Sequence, residues 1–185
     1  MNSPYKGKFK VTQQYKGAAH DGLDLVGLQD KTIYSTVDGV VERAGCEDPT
    51  NKKQGFGIYI RIKQNGSTDR FYFGHLSKIS VKVGQTVKKG DILGIEGSTG
   101  KSTGSHCHYC VRRNASKSQI KDVSIISGIP NKRGAYENSI YYLVKKSWKN
   151  VTVYRTRYIT QARIYAQARK LVVYNEQGKT IYSYR

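Results

Sequence analysis

Between residues 9 and 113 the apolar positions come in short bursts, alternating with polar ones or running together, and each burst is closed by glycine or polar residues. FKVTQQY, GLDLVGL, TIYSTV, GVVERAG and GIYIRIK all read as strands on this pattern. RFYFGHL follows Asn65-Gly66, a dipeptide suited to tight hairpins, and reads as a return arm. ISVKVGQTVKKGDILGIEG supplies further short strands between glycine turns, and HCHYCVR closes the series. No apolar period of three and four residues appears before residue 115. The economical architecture is therefore all-β, an antiparallel sandwich or barrel-like domain.

Residues 114–140, rich in Asn, Ser, Lys and Gly, read as an irregular finishing segment. From Tyr154 to Arg169 a period of two returns: Tyr154, Thr156, Tyr158, Ala162 and Ile164 share one parity, and Arg155, Arg157, Gln161 and Arg163 the other. LVVYNEQGKTIYSY then reads as a hairpin turning at Asn175 to Gly178, while TQARIYAQARK also admits a helix. The expected organisation is a main domain over 1–130, a linker over 131–150 and a small, basic, Tyr-rich β extension over 151–185.

The chain has four histidines, and all fall in three short motifs: His20 in HDGLD, His75 in YFGHL, and His106 with His108 in SHCHY. On a strand, residues two or four apart share a face, so His20 with Asp24, and His106 with His108, can converge. Gly22 between the first pair leaves room for an ion. Any one histidine alone reads more simply as a surface or core residue. Two spaced pairs with none left over point to a metal site, where neutral imidazole and carboxylate are zinc ligands and a catalytic zinc typically keeps a position for water. No HExxH string occurs, so a glutamate base of that type is absent and imidazoles are the candidates for proton handling.

HDGLDL, followed by YFGHLSKISVKVGQTVKKGDILGIEGSTGKSTGSHCHY, resembles in order and spacing the lysostaphin-type zinc endopeptidases of the glycyl-glycine endopeptidase family, over about residues 9–113. The resemblance implies a peptidoglycan endopeptidase with His20, Asp24 and His108 holding Zn2+ and with His75 and His106 serving catalysis. One departure stands out: that family usually has a glutamate two residues after the second His of HxH, where this chain has Cys110. By parity Cys110 shares a face with His106 and His108, either near the metal or packed as a small hydrophobe, and Cys107 faces the core. A non-catalytic wall-binding or assembly module on the same fold is the rival reading. GIEGSTGKS is not a phosphate loop, because the position five before Gly100 is Ile95 and a strand-like segment follows.

Charge adds a partner. The formal net charge is +19 over 185 residues, an excess that argues for an anionic surface. Residues 141–185 carry ten Lys or Arg against Glu176 alone. Interleaved Arg and Tyr could meet nucleic acid, complete the fold with a solvated face, or hold anionic cell-wall polymers; beside the histidine site, wall peptides and anionic wall polymers are the expected partners, and nucleic acid is not. Three cysteines, Cys46, Cys107 and Cys110, suggest no disulfide framework. MNSPYKGKFKVTQQY lacks the apolar core of a secretory signal and no stretch is apolar enough to span a bilayer, so synthesis in the cytoplasm without membrane insertion is expected. These traits are similar to those of phage-encoded lytic enzymes, which implies access to the wall after lysis, through a holin or by virion delivery.

Overall fold

The computed structural model describes residues 2–51, 53–138, 142–146, 151–156, 171–174 and 180–183. In chain order the strands are β1 Gly7–Gln13, β2 Gly22–Gly27, β3 Thr32–Tyr34, β4 Gly39–Cys46, β5 Ile58–Gln64, β6 Asp69–Gly74, β7 Lys78–Ile79, β8 Thr86–Val87, β9 Ile92–Ile95, β10 Cys107–Arg113, β11 Ile120–Lys121 and β12 Gly134–Asn138. A short helix, α1 (Val123–Ser127), precedes β12. Nine strands form one antiparallel sheet in the order β12-β1-β2-β10-β6-β5-β4-β8, with β11 beside β10, and β3-β9-β7 form a second sheet. The expected all-β antiparallel class holds, including the β5–β6 hairpin, in which Gly66 takes φ 67°.

Alternation along the strands decides what each face does. On β10, Cys107, Tyr109 and Val111 join the main core, which also takes Phe9 and Val11 from β1, Leu23 and Leu25 from β2, Phe71 and Phe73 from β6, and Ile33 and Leu93 from the second sheet. Each such Leu or Phe contributes roughly 1.5–3 kcal/mol on burial. The opposite parity, His108, Cys110 and Arg112, faces away from that core, and buried Cys110 packs with Tyr59, Tyr72 and Phe56. The central strands β2, β10 and β6 therefore carry an underside that is apolar except at the Asp69–Arg113 end and an upper face that holds His108, Cys110 and Arg112.

The segment expected to be irregular is more ordered than its composition suggests. Asp122 caps α1 by accepting from the Ser124 amide, and Gly128 at φ 68° ends it. Strand β12 pairs with β1 from Gly7↔Asn138 to Val11↔Gly134. The boundary between compact units falls between Asn138 and Ser139, not at residue 130. The expected linker over 131–150 is corrected at both ends, because Gly134–Asn138 completes the first sheet and β13, Tyr142–Lys146, belongs to the second unit.

That second unit contains β13, β14 Val151–Thr156, β15 Val172–Tyr174 and β16 Thr180–Ser183, in the order β14-β13-β15-β16. The antiparallel β15–β16 pair matches the expected hairpin. The alternation read over 157–169, with its helical alternative, lies outside the described residues. No helix among the described residues is long and apolar enough to cross a membrane.

Candidate metal centre

Asp24 lies on β2 directly opposite His108 on β10, and on the other side of His108 stands Gly74 of β6. His20 is not on a strand, so parity is not what joins it to Asp24. It sits at the end of a tight loop in which the Lys16 amide donates to the His20 carbonyl and the His20 amide to that of Gly17. His75 follows β6 with φ 63°, a left-handed conformation that costs a non-glycine residue about 1 to 3 kcal/mol and is kept where the surrounding structure demands it. Its amide donates to the Phe56 carbonyl, which holds that turn. His106 precedes β10 and is fixed by a bridge to Gly97.

The five predicted side chains gather at one point. Asp24 Oδ1 is 3.1 Å from His20 Nε2, 2.9 Å from His108 Nδ1 and 3.6 Å from His106 Nε2. The donor atoms of His20, Asp24 and His108 all lie within 4.8 Å of one another. The His75 and His106 rings are 4.6 Å apart between centroids, and His75 lies 6.0 Å from His108.

Hydrogen bonds fix the tautomer of every ring. A carbonyl only accepts, so His20 Nδ1 must donate to Gln14 O at 2.7 Å, His75 Nδ1 to Thr99 O at 2.7 Å and His106 Nδ1 to Gly104 O at 2.8 Å. Each is left with a lone pair on Nε2. His108 is turned the other way: Nε2 faces Asp21 Oδ1 at 3.1 Å, which frees Nδ1 for the centre.

These lone pairs and a carboxylate oxygen meeting in one place form the donor set that a divalent cation such as zinc requires. The electrostatics agree. Burial would raise the carboxyls of Asp21 and Asp24, but the contacts with His108, joined by Arg112 at Asp21 and by His20 at Asp24, hold both well below the usual carboxylate range, His108 in the metal-free pocket carrying on Nδ1 a proton that a cation would displace. Burial would likewise lower His108, yet Asp21 and Asp24 keep its imidazolium well above the ordinary value, so the pocket favours positive charge. Burial, reinforced by the neighbouring His106 and His108, pushes His75 down to about 4 against the Thr99 hydrogen bond and the more distant Asp24 charge, and it is neutral near pH 7.

The centre floors an open cleft of about 840 Å³. One wall is the turn at Phe56, whose amide donates to Glu47 Oε2 at 2.5 Å. The other is the glycine-rich loop 97–105, which crosses that turn with the Lys101 amide donating to Gly55 O at 3.0 Å. At Gly100 (φ 72°) a Cβ would lie 2.3 Å from the Gly57 nitrogen, so the glycines serve this crossing. Glu96 anchors the loop from below, accepting from Tyr5 Oη, the Gly27 amide, Lys31 Nζ and Ser105 Oγ.

Gly22 has another purpose than the one its sequence position suggests. A Cβ there would lie 2.6 Å from Tyr109 O, 2.8 Å from His108 Nε2 and 2.9 Å from Cys110 Cβ, so the glycine makes room for the neighbouring strand and for the imidazole, not for an ion. Gly22→Ala is expected to cost about 1 to 3 kcal/mol as an overpacked core change and to weaken metal binding, to be read by thermal unfolding and metal titration. Unchanged metal affinity would show that β10 yields without moving His108.

Sequence reasoning missed Asp21, Arg112 and Glu96, together with the carbonyls of Gln14, Thr99 and Gly104. Arg112 was within reach, since parity places it on the face of His108 and Cys110. The carbonyls carry no side-chain signal.

The profile of peptidase family M23 matches residues 18–120. The peptidoglycan DD-endopeptidase ShyA of Vibrio cholerae is 35% identical over 120 residues, covering 64% of this chain and 26% of that protein. The glycyl-glycine endopeptidase ALE-1 of Staphylococcus capitis is 39% identical over 93 residues, 50% of this chain and 24% of its own length. Among solved structures, the catalytic domain of lysostaphin from Staphylococcus simulans superposes with a TM-score of 0.54 at 30% identity, covering 67% of this chain and 92% of that domain. The chain spans about a quarter of the length of the curated relatives it matches. With its fold, its histidine and aspartate centre and more than half of its residues matched, the chain belongs to peptidase family M23.

Proposed function

We propose that this protein is a zinc-dependent endopeptidase that hydrolyses peptide cross-links of bacterial peptidoglycan. The observation that carries the reading is the convergence of His20, Asp24 and His108 on one point at the floor of an open cleft, with His75 and His106 alongside. Relatives named for DD-endopeptidase and glycyl-glycine endopeptidase activity support the substrate class, and because those names differ in the bond cut, the proposal is a cross-link and not one particular bond.

His20 Nε2, Asp24 Oδ1 and His108 Nδ1 would hold the ion, which when bound supplies Lewis acidity to polarise the scissile carbonyl and lower the pKa of an attacking water. The remaining chemistry belongs to the two free imidazoles. His75, neutral and fixed through Nδ1, presents Nε2 to accept the proton of the attacking water, and the resulting imidazolium can return it to the leaving amine. His106, fixed through Gly104 O with its ring 4.6 Å from that of His75 between centroids, keeps an Nε2 lone pair that can accept from the same water and so orient it. The second unit, with the basic excess of residues 141–185, would hold the enzyme against anionic wall polymers.

The test is release of fragments from purified walls of several chemotypes, followed by mass spectrometry. Removal of the metal by a chelator is expected to abolish release, and a stoichiometric addition of zinc to restore it. Binding to walls without release of any fragment, with or without zinc, would instead identify a non-catalytic wall-binding module.

A further inference from the structure

We infer that Asp21 is a positioning residue of the metal centre: its carboxylate accepts the Nε2 proton of His108 and so aims the Nδ1 lone pair of that ring at the cation. The inference rests on the reading of His108 as a ligand. His20, His75 and His106 are each oriented by a neutral backbone carbonyl, whereas His108 alone is oriented by a carboxylate, at 3.1 Å. An anionic acceptor makes the ring a stronger donor to a metal than a carbonyl does.

The carboxylate is itself held. Both Arg112 Nε, at 2.8 Å, and a terminal nitrogen of its guanidinium, at 2.5 Å, donate to Asp21 Oδ2, leaving Oδ1 for His108. Arg112 in turn lies against the stacked rings of Phe56 and Tyr72, each 5.1 Å from the guanidinium carbon, and is only 8% exposed. Phe56 also packs on the His108 ring, 5.5 Å between centroids. Position on strand β10 therefore sets where His108 is, and the Asp21–Arg112 pair sets how it is turned.

The same corner admits another use. Donor atoms of Asp21, His108 and Cys110 also lie within 4.8 Å of one another, as a second cation would need. Arg112 already supplies the positive charge to Asp21, and a cation beside the guanidinium would be repelled. The Cys110 side chain is fully buried and packs with Tyr59, Tyr72 and Phe56 as a small hydrophobe.

Zinc affinity and stoichiometry of the full chain, by competition with a chromophoric chelator, separate these uses. One equivalent is expected in the parent protein, and Asp21→Asn is expected to bind about 10- to 100-fold more weakly. The absorption spectrum of its cobalt-substituted form should shift as well. Arg112→Gln should lose affinity in the same direction by less, and it carries the test should Asp21→Asn not fold. Cys110→Ala, which removes a neutral thiol contact of His108 but leaves the Asp21 carboxylate on Nε2, should lose clearly less than Asp21→Asn. A purely structural Asp21 would lower the unfolding temperature of the metal-free protein with affinity and spectrum unchanged, and that result overturns the inference. Two equivalents in the parent, one of them lost in Cys110→Ala, overturns it in favour of a second cation. A parent protein that binds no zinc defeats the metal reading itself, and this inference with it.

Discussion

Asp24→Ala is expected to leave the protein without bound zinc after dialysis and to lower cross-link hydrolysis by about 10³-fold or more. Asp24 Oδ1 is the atom on which His20, His106 and His108 converge, at 3.1, 3.6 and 2.9 Å. Without it the pocket keeps imidazole donors but loses the negative charge that favours a cation between them. Lewis-acid stabilisation of a transition state is worth several kcal/mol, and at about 1.36 kcal/mol per factor of ten a loss of about 4 kcal/mol gives the stated magnitude. Elemental analysis of the dialysed variant and fragment release from walls read the two effects separately. His108→Ala should match it on both readouts. Full zinc occupancy in Asp24→Ala would remove Asp24 from the ligand set.

The metal-free fold should tolerate the change better than the activity does. Asp24 is nearly buried beside His108, so the intact pair is favourable only while both partners remain. His108 in the variant still has Asp21 for a partner, and that contact limits the penalty of an unpaired charge. Loss of zinc with folding preserved is therefore the informative outcome, and circular dichroism of the variant confirms the second half of it.

Alternation made much of this centre legible before any coordinates. On Cys107 to Arg112 a period of two sorts core from site without error, because that strand runs through the middle of the sheet and every second side chain must enter the apolar layer. The ring partners were not legible, since Gln14, Thr99 and Gly104 act through carbonyls that any residue would offer. His20 shows the limit of parity: its distance to Asp24 is set by a loop that closes between Lys16 and His20, and a spacing of four residues only happened to suit both geometries. Glu96 was hidden for a related reason. A carboxylate in a glycine-rich loop looks solvated in sequence, yet four donors reach it from three distant segments and its own loop. The strand Gly134–Asn138 was lost to composition, because its pairing partner is more than a hundred residues away and local propensity says nothing of it.

His75→Ala is expected to do the reverse of Asp24→Ala: zinc occupancy stays at the parent level while turnover falls about 10²- to 10⁴-fold, the range for loss of a general acid–base group. The donor atoms of His20, Asp24 and His108 form a complete set without it, so occupancy has no reason to change. Turnover does, because His75 is the imidazole that stays neutral, with burial holding it at about 4 and Thr99 O fixing the proton on Nδ1. The sign of its pH effect follows. A depressed pKa means the ring remains a base as pH falls through 6.5 and is lost only on approach to about 4, so the acid limb of kcat due to this group should lie near 4 and be absent from the variant. A limb near the ordinary imidazole value of about 6.5 that persists in His75→Ala would place the proton on another group. Equal loss of zinc in His75→Ala and Asp24→Ala would erase the division between ligands and proton carriers altogether, since a ring bonded to Thr99 would then have to belong to the coordination shell.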